Sequence, residues 1–521
     1  MTRLFVSVFL ISLAFLPLCF TSYFPMVDFY RHIVRYYVIA KHILGSADQF
    51  DYIVHWNVTL NMSGDILSTA FFLFFSPELA SKILIASAIL IIVFGVLALD
   101  YVVNKKFEIW KLAAVCIFIF NHVFFWGFMN YLIALGLSFW LIALWIWLRE
   151  RSLVAALVTN GAAGALLFIS HGFAFMMFGY ALALYEIGRT RFSITRRPSI
   201  EVIIVLLGLL VSAVPATILL FYIGFQEYPG SKGFVDRIQI HIQENTLLDR
   251  LFAILSDRLM IVFRQVETDY PLWDILYNST IFGMIACGFI FGWLNLSRRW
   301  VVVLLGLVFA YVVLPPNFFG VGYVPDRIPT MAILLLLGVV RLTVPKRGAT
   351  IASLTAGLLL VRTVVLSITW ATYAPVYEEV RNWKDVIPSG SIVLDLTPHR
   401  LLRKEPDALI CALGAAPYLW LSNANVRTFD VKGILPISIS GRLKEAISNG
   451  QPIIQKPHHE KDWPAFADHV LQRTARSGAD FVLICDEEHY LNPPSDYMDL
   501  VAKNEIFTLY KTRDVFSQAV E

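Results

Sequence analysis

The sequence predicts a polytopic α-helical membrane protein, with about eleven transmembrane helices and a C-terminal soluble α/β domain. Three observations predict it. Of 521 residues, 57% are hydrophobic and 16% are charged, and the mean hydropathy is +0.66, whereas a soluble domain carries roughly 25% charged residues. The loops between apolar segments alternate between basic and non-basic. Beyond about residue 372 the pattern changes to short strands, helical stretches and turns.

A spanning helix needs roughly 20 mainly apolar residues, and such segments run 4–24, 79–103, 110–128, 131–148, 152–170, 172–188, 201–224, 275–296, 300–315, 326–343 and 349–370. The first follows a single positive charge, Arg3, and is long for a signal peptide, with no small-x-small site after it, so it reads as an uncleaved span. With Arg3 inside, the other inside loops hold Lys105 and Lys106, Arg149 and Arg151, Arg189, Arg191, Arg196 and Arg197, Arg298 and Arg299, and Lys346 and Arg347. Every one of these loops is basic, which places the amino terminus in the cytoplasm and the tail outside.

The outer side then receives the loop 25–64, the loop 225–274, the connection PPNFFGVGYVPDR at 315–327, and the tail. The domains are accordingly a transmembrane part, 1–372, and an extracytoplasmic α/β part, 373–521. ILSTAFFLFF at 66–75 is too short to span and reads as an interfacial or re-entrant helix. In the tail, SIVLDL (391–396) and FVLICD (481–486) read as strands. No low-complexity segment or internal repeat stands out.

The net charge of +3 decides little, and with no basic run or face the chain is not read as nucleic-acid binding. Of five cysteines, Cys19, Cys116 and Cys287 sit in apolar segments as packing residues. Cys411 and Cys485 share the tail, where a disulfide requires an oxidising compartment. KPHHEKDW, with His458, His459 and Glu460, reads as a solvated loop rather than a metal site. Asn57-Val-Thr and Asn61-Met-Ser are glycosylation acceptors only in a eukaryotic secretory compartment.

Polar residues that are neither basic anchors nor loop residues gather on the outer side. Asp28, His32 and Arg35 recur at i, i+4 and i+7, one face of a helix starting near Pro25. Taken alone, Asp28 there simply favours the helix dipole and pairs with His32. Asn121 and His122 interrupt an apolar segment, Asn130 follows, and His171 lies in the connection LLFISHGFAF. Such groups serve either interhelical hydrogen bonds or function. Asp326 and Arg327 follow the outer connection, where a guanidinium either snorkels or grips a lipid phosphate. Arg362 lies inside the last span, where it needs an acidic partner or a phosphate.

Over residues 1–345 the chain resembles the GT-C class of membrane glycosyltransferases. The resemblance rests on VDFYRH (27–32) after the first span, a short hydrophobic piece leading into SPELASKILIASAIL (76–90), FISHGF (168–173) and LPPNFFGVGYVPDR (314–327) before a late span. It implies a polyprenyl-phosphate-linked sugar as donor, an extracytoplasmic glycan, lipid or protein as acceptor, and a bacterial inner membrane with the C-terminal domain in the periplasm. It also implies that Asp28 is the catalytic base of an inverting displacement, with His32 orienting it or touching the acceptor. Arg327 and Arg362 then face the donor phosphate, and His55, His122, His171 and Asp326 the substrates. Some relatives use an acidic pair with a divalent metal. The first loop here has no D-x-D, and Asp48 and Asp51 are distant from Asp28, so no metal ligand is assigned and metal dependence is open. A transporter or flippase of lipid-linked saccharides shares the same broad features, although its usual repeats and broken midplane helices are not evident. A third reading is an assembly subunit whose tail does the recognising.

Overall fold

A computed structural model describes residues 2–21, 23–45, 52–54, 58, 60–189, 200–224, 256, 258–268, 270–315, 322–388, 390–396, 425–427, 437–439, 479–485 and 498–513. His55, Cys411, His458, His459, Glu460 and most of the 225–274 loop lie outside the described residues. The described helices are α1 (Thr2–Phe15), α2 (Phe29–Ile43), α3 (Met62–Phe74), α4 (Pro77–Asn104), α5 (Ile109–Ile117), α6 (His122–Phe125), α7 (Met129–Arg149), α8 (Leu153–Ser170), α9 (Gly172–Arg189), α10 (Ile200–Ser212), α11 (Val214–Gly224), α12 (Pro271–Ile290), α13 (Arg298–Val313), α14 (Val324–Val339) and α15 (Gly348–Asn382). The strands are β1 (Tyr52–Val54), β2 (Leu294–Asn295), β3 (Arg341–Leu342), β4 (Ile392–Leu396), β5 (Asn425–Arg427), β6 (Ile437–Ile439), β7 (Phe481–Cys485), β8 (Met498–Lys503) and β9 (Phe507–Thr512).

Among the described residues, six helical stretches are long and apolar enough to cross a bilayer: Pro77–Asn104, Met129–Arg149, Leu153–Ser170, Val202–Tyr222, Leu272–Ile290 and Gly348–Asp385. Large apolar side chains on them face outward, including Leu210, Val211, Ile218 and Ile290, all more than 60% exposed. Water would not tolerate so much exposed apolar surface, but lipid does. Other expected spans take different forms. Segment 4–24 is α1 followed by a 3₁₀ turn, Leu16–Cys19, with proline in its first turn. Segment 110–128 breaks after Ile117. Segments 300–315 and 326–343 correspond to α13 and α14, of 16 residues each.

The chain forms two compact units. The first comprises Met1–Phe20, Val58–Ile66 and Lys82–Thr369. Within it α4 and α7 touch backbone to backbone: a Cβ on Gly95 would lie 2.6 Å from the Gly136 carbonyl oxygen, and one on Gly136 would lie 2.8 Å from the Ile92 nitrogen. Trp140 Nε1 donates to the Ile91 carbonyl at 3.2 Å across the same contact. A fully buried ion pair, Lys111 with Asp100, joins α5 to α4, and Lys111 also donates to the Val340 carbonyl. Pairing and these added hydrogen bonds are what make two buried charges tolerable there. Near the end of α7, Arg149 and Arg189 face buried Glu186 at 3.7 and 4.0 Å, and Trp145 Nε1 donates to it at 3.0 Å.

The second unit comprises Thr21–Asn57, Leu67–Ser81 and Trp370–Glu521. Its sheet has the order β5-β4-β7-β9-β8, with β4 parallel to β5 and β7 and the remaining pairs antiparallel. Ile392, Val393 and Phe481–Ile484 are buried on consecutive positions, as a strand covered on both faces requires. β1 pairs antiparallel with β6, Tyr52 opposite Ile439. Tyr23 stacks between Tyr30 and Tyr377, at centroid distances of 4.5 and 3.4 Å, and Tyr30 Oη accepts from the Phe24 nitrogen at 2.7 Å. These aromatic contacts hold the start of α2 against the last turns of α15.

Candidate functional site

In the first unit a site is built where α5 stops. Asn121 makes the stop possible: its side-chain amide donates to the Phe118 and Ile119 carbonyls at 2.8 and 3.1 Å, and its oxygen accepts from the Phe124 nitrogen at 3.1 Å. Backbone groups freed by a break in an apolar helix need such partners. Gly127, at φ +76°, supplies the left-handed residue that turns the chain into α7. His122 is thereby presented at the turn, 6% exposed.

Glu267 meets it from the other side. Asn278 on α12 accepts from the Val266 nitrogen at 3.0 Å and donates to the Phe263 and Val266 carbonyls at 2.6 and 2.8 Å. Both carboxylate oxygens of Asp274 lie 2.8 Å from the Thr268 nitrogen, and one accepts from its hydroxyl at 2.6 Å. The chain so latched places a Glu267 oxygen 2.7 Å from His122 Nδ1. Three more bonds stitch the segments together: the His122 nitrogen donates to the Arg264 carbonyl at 3.2 Å, and Arg362 Nη2 donates to the Phe120 and Glu267 carbonyls at 2.8 and 2.5 Å. Arg362, expected at a donor phosphate, thus holds backbone on both sides of the pair.

The other ring nitrogen, Nε2, lies 3.4 Å from Asp326 and 2.9 Å from Trp126 Nε1. The carboxylate needs a donor and the indole needs an acceptor, so protonation decides between them. His122 sits in the turn, outside the six spanning stretches. Burial pushes its imidazole toward neutrality, but Glu267 and then Asp326 outweigh burial and bring its pKa up to about 9. Burial likewise pushes Glu267 up, and His122, Arg264 and Arg362 together hold it below the usual carboxylate range. Both shifts favour the ionised form of the pair at neutral pH.

Arg327 lies in the first turn of α14, entered through Tyr323 in the left-handed region at φ +54°. Its guanidinium carbon lies 4.5, 5.6 and 6.0 Å from the ring centroids of Phe128, Tyr131 and Phe173, and Tyr131 donates to its carbonyl at 2.8 Å. At 6% exposure it is caged rather than snorkelled. His171 packs edge-on to Tyr131 at 5.3 Å, and its Nδ1 accepts from the Ala174 nitrogen at 3.3 Å, capping α9. Burial and then the Arg327 cation keep His171 neutral, which that acceptor role requires. Asn130 accepts from the Gly64 nitrogen at 2.5 Å and ties the start of α3 to α7.

Of the residues singled out in the sequence, this unit therefore brings together His122, Asp326, Arg327, Arg362 and His171. Asp28 and His32 belong to the second unit. Asp28 is the N-cap residue of α2 and makes no capping hydrogen bond with its side chain. His32 stacks on Tyr36 at 6.3 Å, while Arg35 is 7% exposed and lies over the same ring at 4.9 Å. Among the described residues no three His, Cys, Asp or Glu side chains are grouped to hold a metal ion. Glu267 and Asp326 address opposite nitrogens of one ring and do not converge on a point. Glu267, Asn278, Asp274 and Trp126 were not recognisable as a set. The one signal was Glu267, Asp274 and Asn278 spaced at i, i+7 and i+11 around Pro271.

No family model matches the sequence, and no curated protein matches it. The structure is similar to that of ArnT from Cupriavidus metallidurans in the apo state, with a TM-score of 0.51 and 12% identity over 98% of this chain and 97% of that one. The chain shares its fold with this ArnT structure. Arabinofuranosyltransferase AftD from Mycobacteria aligns at a TM-score of 0.43 and 13% identity, over 98% of this chain and 40% of that one. The Archaeoglobus fulgidus oligosaccharyltransferase, in complex with Zn and sulfate, aligns at 0.34 and 11%, over 95% of this chain and 66% of that one. The expected resemblance holds at the level of fold on the ArnT structure, and residue roles rest on this chain's own geometry.

Proposed function

We propose that the protein transfers a sugar from a polyprenyl-phosphate donor to an extracytoplasmic acceptor hydroxyl, with inversion at the anomeric carbon. What supports this most is the caged Arg327 beside an ionised His122–Glu267 pair, within an apolar helical unit of GT-C fold. Among the described residues around the turn, Arg327, Arg362, Arg264 and His122 stand beside Glu267, Asp326 and Asp274, and the guanidinium groups give an anionic ligand partners. Arg327 addresses the donor phosphate, and because its rings already hold it, little side-chain entropy is lost on binding. The leaving group is a phosphate, so charge neutralisation matters more than protonation.

In this reading the Asp28 carboxylate takes the acceptor proton as the acceptor oxygen bonds to the anomeric carbon. The bond from that carbon to the phosphate oxygen breaks, and its electron pair leaves on polyprenyl phosphate. His32, one turn along α2, orients Asp28 or touches the acceptor. His122, His171, Asp326 and His55 border the substrates, and Arg362 serves the phosphate through the chain that it positions. The membrane is a bacterial inner membrane, with the tail in the periplasm and the acceptor a glycan, lipid or protein.

Purified Asp28→Asn protein with an unchanged helical signature should lose 10²- to 10⁴-fold in rate, the usual contribution of a general base. The assay follows release of free polyprenyl phosphate, which a flippase would not produce because it leaves the sugar bond intact. Wild-type turnover in the variant removes Asp28 as base, and absence of sugar transfer in the wild-type protein removes the reading as a whole.

A further inference from the structure

The first unit holds a cavity of about 600 Å³ at the end of α7 opposite His122. Four cations line it: Lys105, Lys106, Arg299 and Arg341, with the Glu150 carboxylate among them. Apolar surface from Val103, Ile146 and Leu342 lies alongside. Two of the cations are engaged. Lys106 pairs with Glu108 at 2.5 Å, and Arg299 lies over the Tyr185 ring with Nη1 3.3 Å from its hydroxyl. Lys105 and Arg341 have no side-chain hydrogen bond or ion pair among the described residues.

These two are also held in place. Lys105 adopts a left-handed φ of +57° where α4 ends, and Arg341 sits in the short β2–β3 ladder opposite Asn295. Asn104 bridges the two places, donating to Asp100 at 2.8 Å and to the carbonyl of Val340, next to Arg341, at 3.2 Å. Buried Lys111 donates to that same carbonyl. Such bracing on either side of two cations goes beyond what positive loop charge alone requires.

We propose that this cavity binds a phosphate group, supplied by the headgroup of an anionic lipid. Two cations lining one cavity suit a phosphate oxyanion. Apolar walls beside a basic rim, at the ends of membrane helices, suit a headgroup with acyl chains attached. The site is a helix length, roughly 30 Å, from His122 and is separate from the proposed transfer site.

The test uses the full-length protein in detergent, with phosphatidylglycerol, phosphatidylcholine and inorganic phosphate added in separate arms. It reads the unfolding temperature and, by native mass spectrometry, bound lipid. The wild type and an Arg347→Gln control, whose side chain lies over Trp293 at 4.4 Å and does not line the cavity, should be stabilised by phosphatidylglycerol. The exposed double substitution Lys105→Gln/Arg341→Gln should weaken that binding roughly tenfold or more, and Arg341→Lys should retain most of it. Equal stabilisation by inorganic phosphate keeps the phosphate site and assigns free phosphate as its source. An equal effect of phosphatidylcholine, or unchanged phosphatidylglycerol binding in the double variant, overturns the proposal.

Discussion

His122 is a base clamped between two acids, and the consequence is a pH-dependent contribution to stability. Its pKa is raised from an ordinary 6.5 to about 9, so the stabilisation is complete below pH 6.5 and is lost as pH rises through 9. Glu267 is shifted the other way, so its share is present above its ordinary pKa and fades in acid. Replacing Glu267 with Gln should therefore cost about 3 kcal/mol near pH 6.5, since it leaves a buried cation short of a partner. The gap between wild type and variant should close toward pH 9 and above in thermal unfolding scans in detergent. Parallel curves from pH 6.5 to 9.5 would remove the ion pair as a stabilising element. His122, Asp326, Arg327 and Arg362 were legible as polar groups in apolar surroundings. Glu267 was not, because it pairs with His122 across 145 positions from a loop whose other polar residues look solvated.

At the scale of elements, the contact of α4 with α7 depends on two residues without side chains. Gly136→Val puts a branched side chain where even a Cβ meets backbone atoms below 3.0 Å, and the helices must part. The expected cost is about 1–3 kcal/mol, read as a lowered unfolding temperature. Gly179→Ala, which has no atom within 4 Å of the added carbon, is expected to be neutral within roughly 0.5 kcal/mol. A Gly136→Val protein as stable as the wild type would mean that the close approach carries no packing energy. Helices α4, α7 and α8 match the apolar segments 79–103, 131–148 and 152–170, because length and hydropathy suffice to specify a continuous helix. Segment 110–128 is also long and mainly apolar and yet breaks after Ile117. Its continuity is decided by three hydrogen bonds of one asparagine, which a hydropathy window averages away. Strands β4 and β7 fall on SIVLDL and FVLICD, where the apolar runs are short and bounded by turns.

Orientation is a property of the whole molecule, and the fold bears on it through where it places the basic loops. The cavity gathers Lys105, Lys106 and Arg299, and Glu186 gathers Arg149 and Arg189, so basic loops far apart in sequence share one end of the first unit. The His122 turn lies at the start of α7, and the basic cavity lies at its other end. Helix α15 leaves the basic end at Gly348 and runs for 35 residues, roughly 52 Å at 1.5 Å per residue. That exceeds the roughly 30 Å hydrocarbon core, so the helix can carry the chain out on the far side. If positive loops stay in the cytoplasm, the His122 turn opens outside. The prediction is tested in a cysteine-free background with one cysteine at a time. Gly322→Cys, just before α14, should react with a membrane-impermeant maleimide on cells whose outer face is accessible, and Lys346→Cys should react only after permeabilisation. The reverse pattern would put the caged Arg327 on the cytoplasmic side, where the proposed periplasmic acceptor cannot reach it.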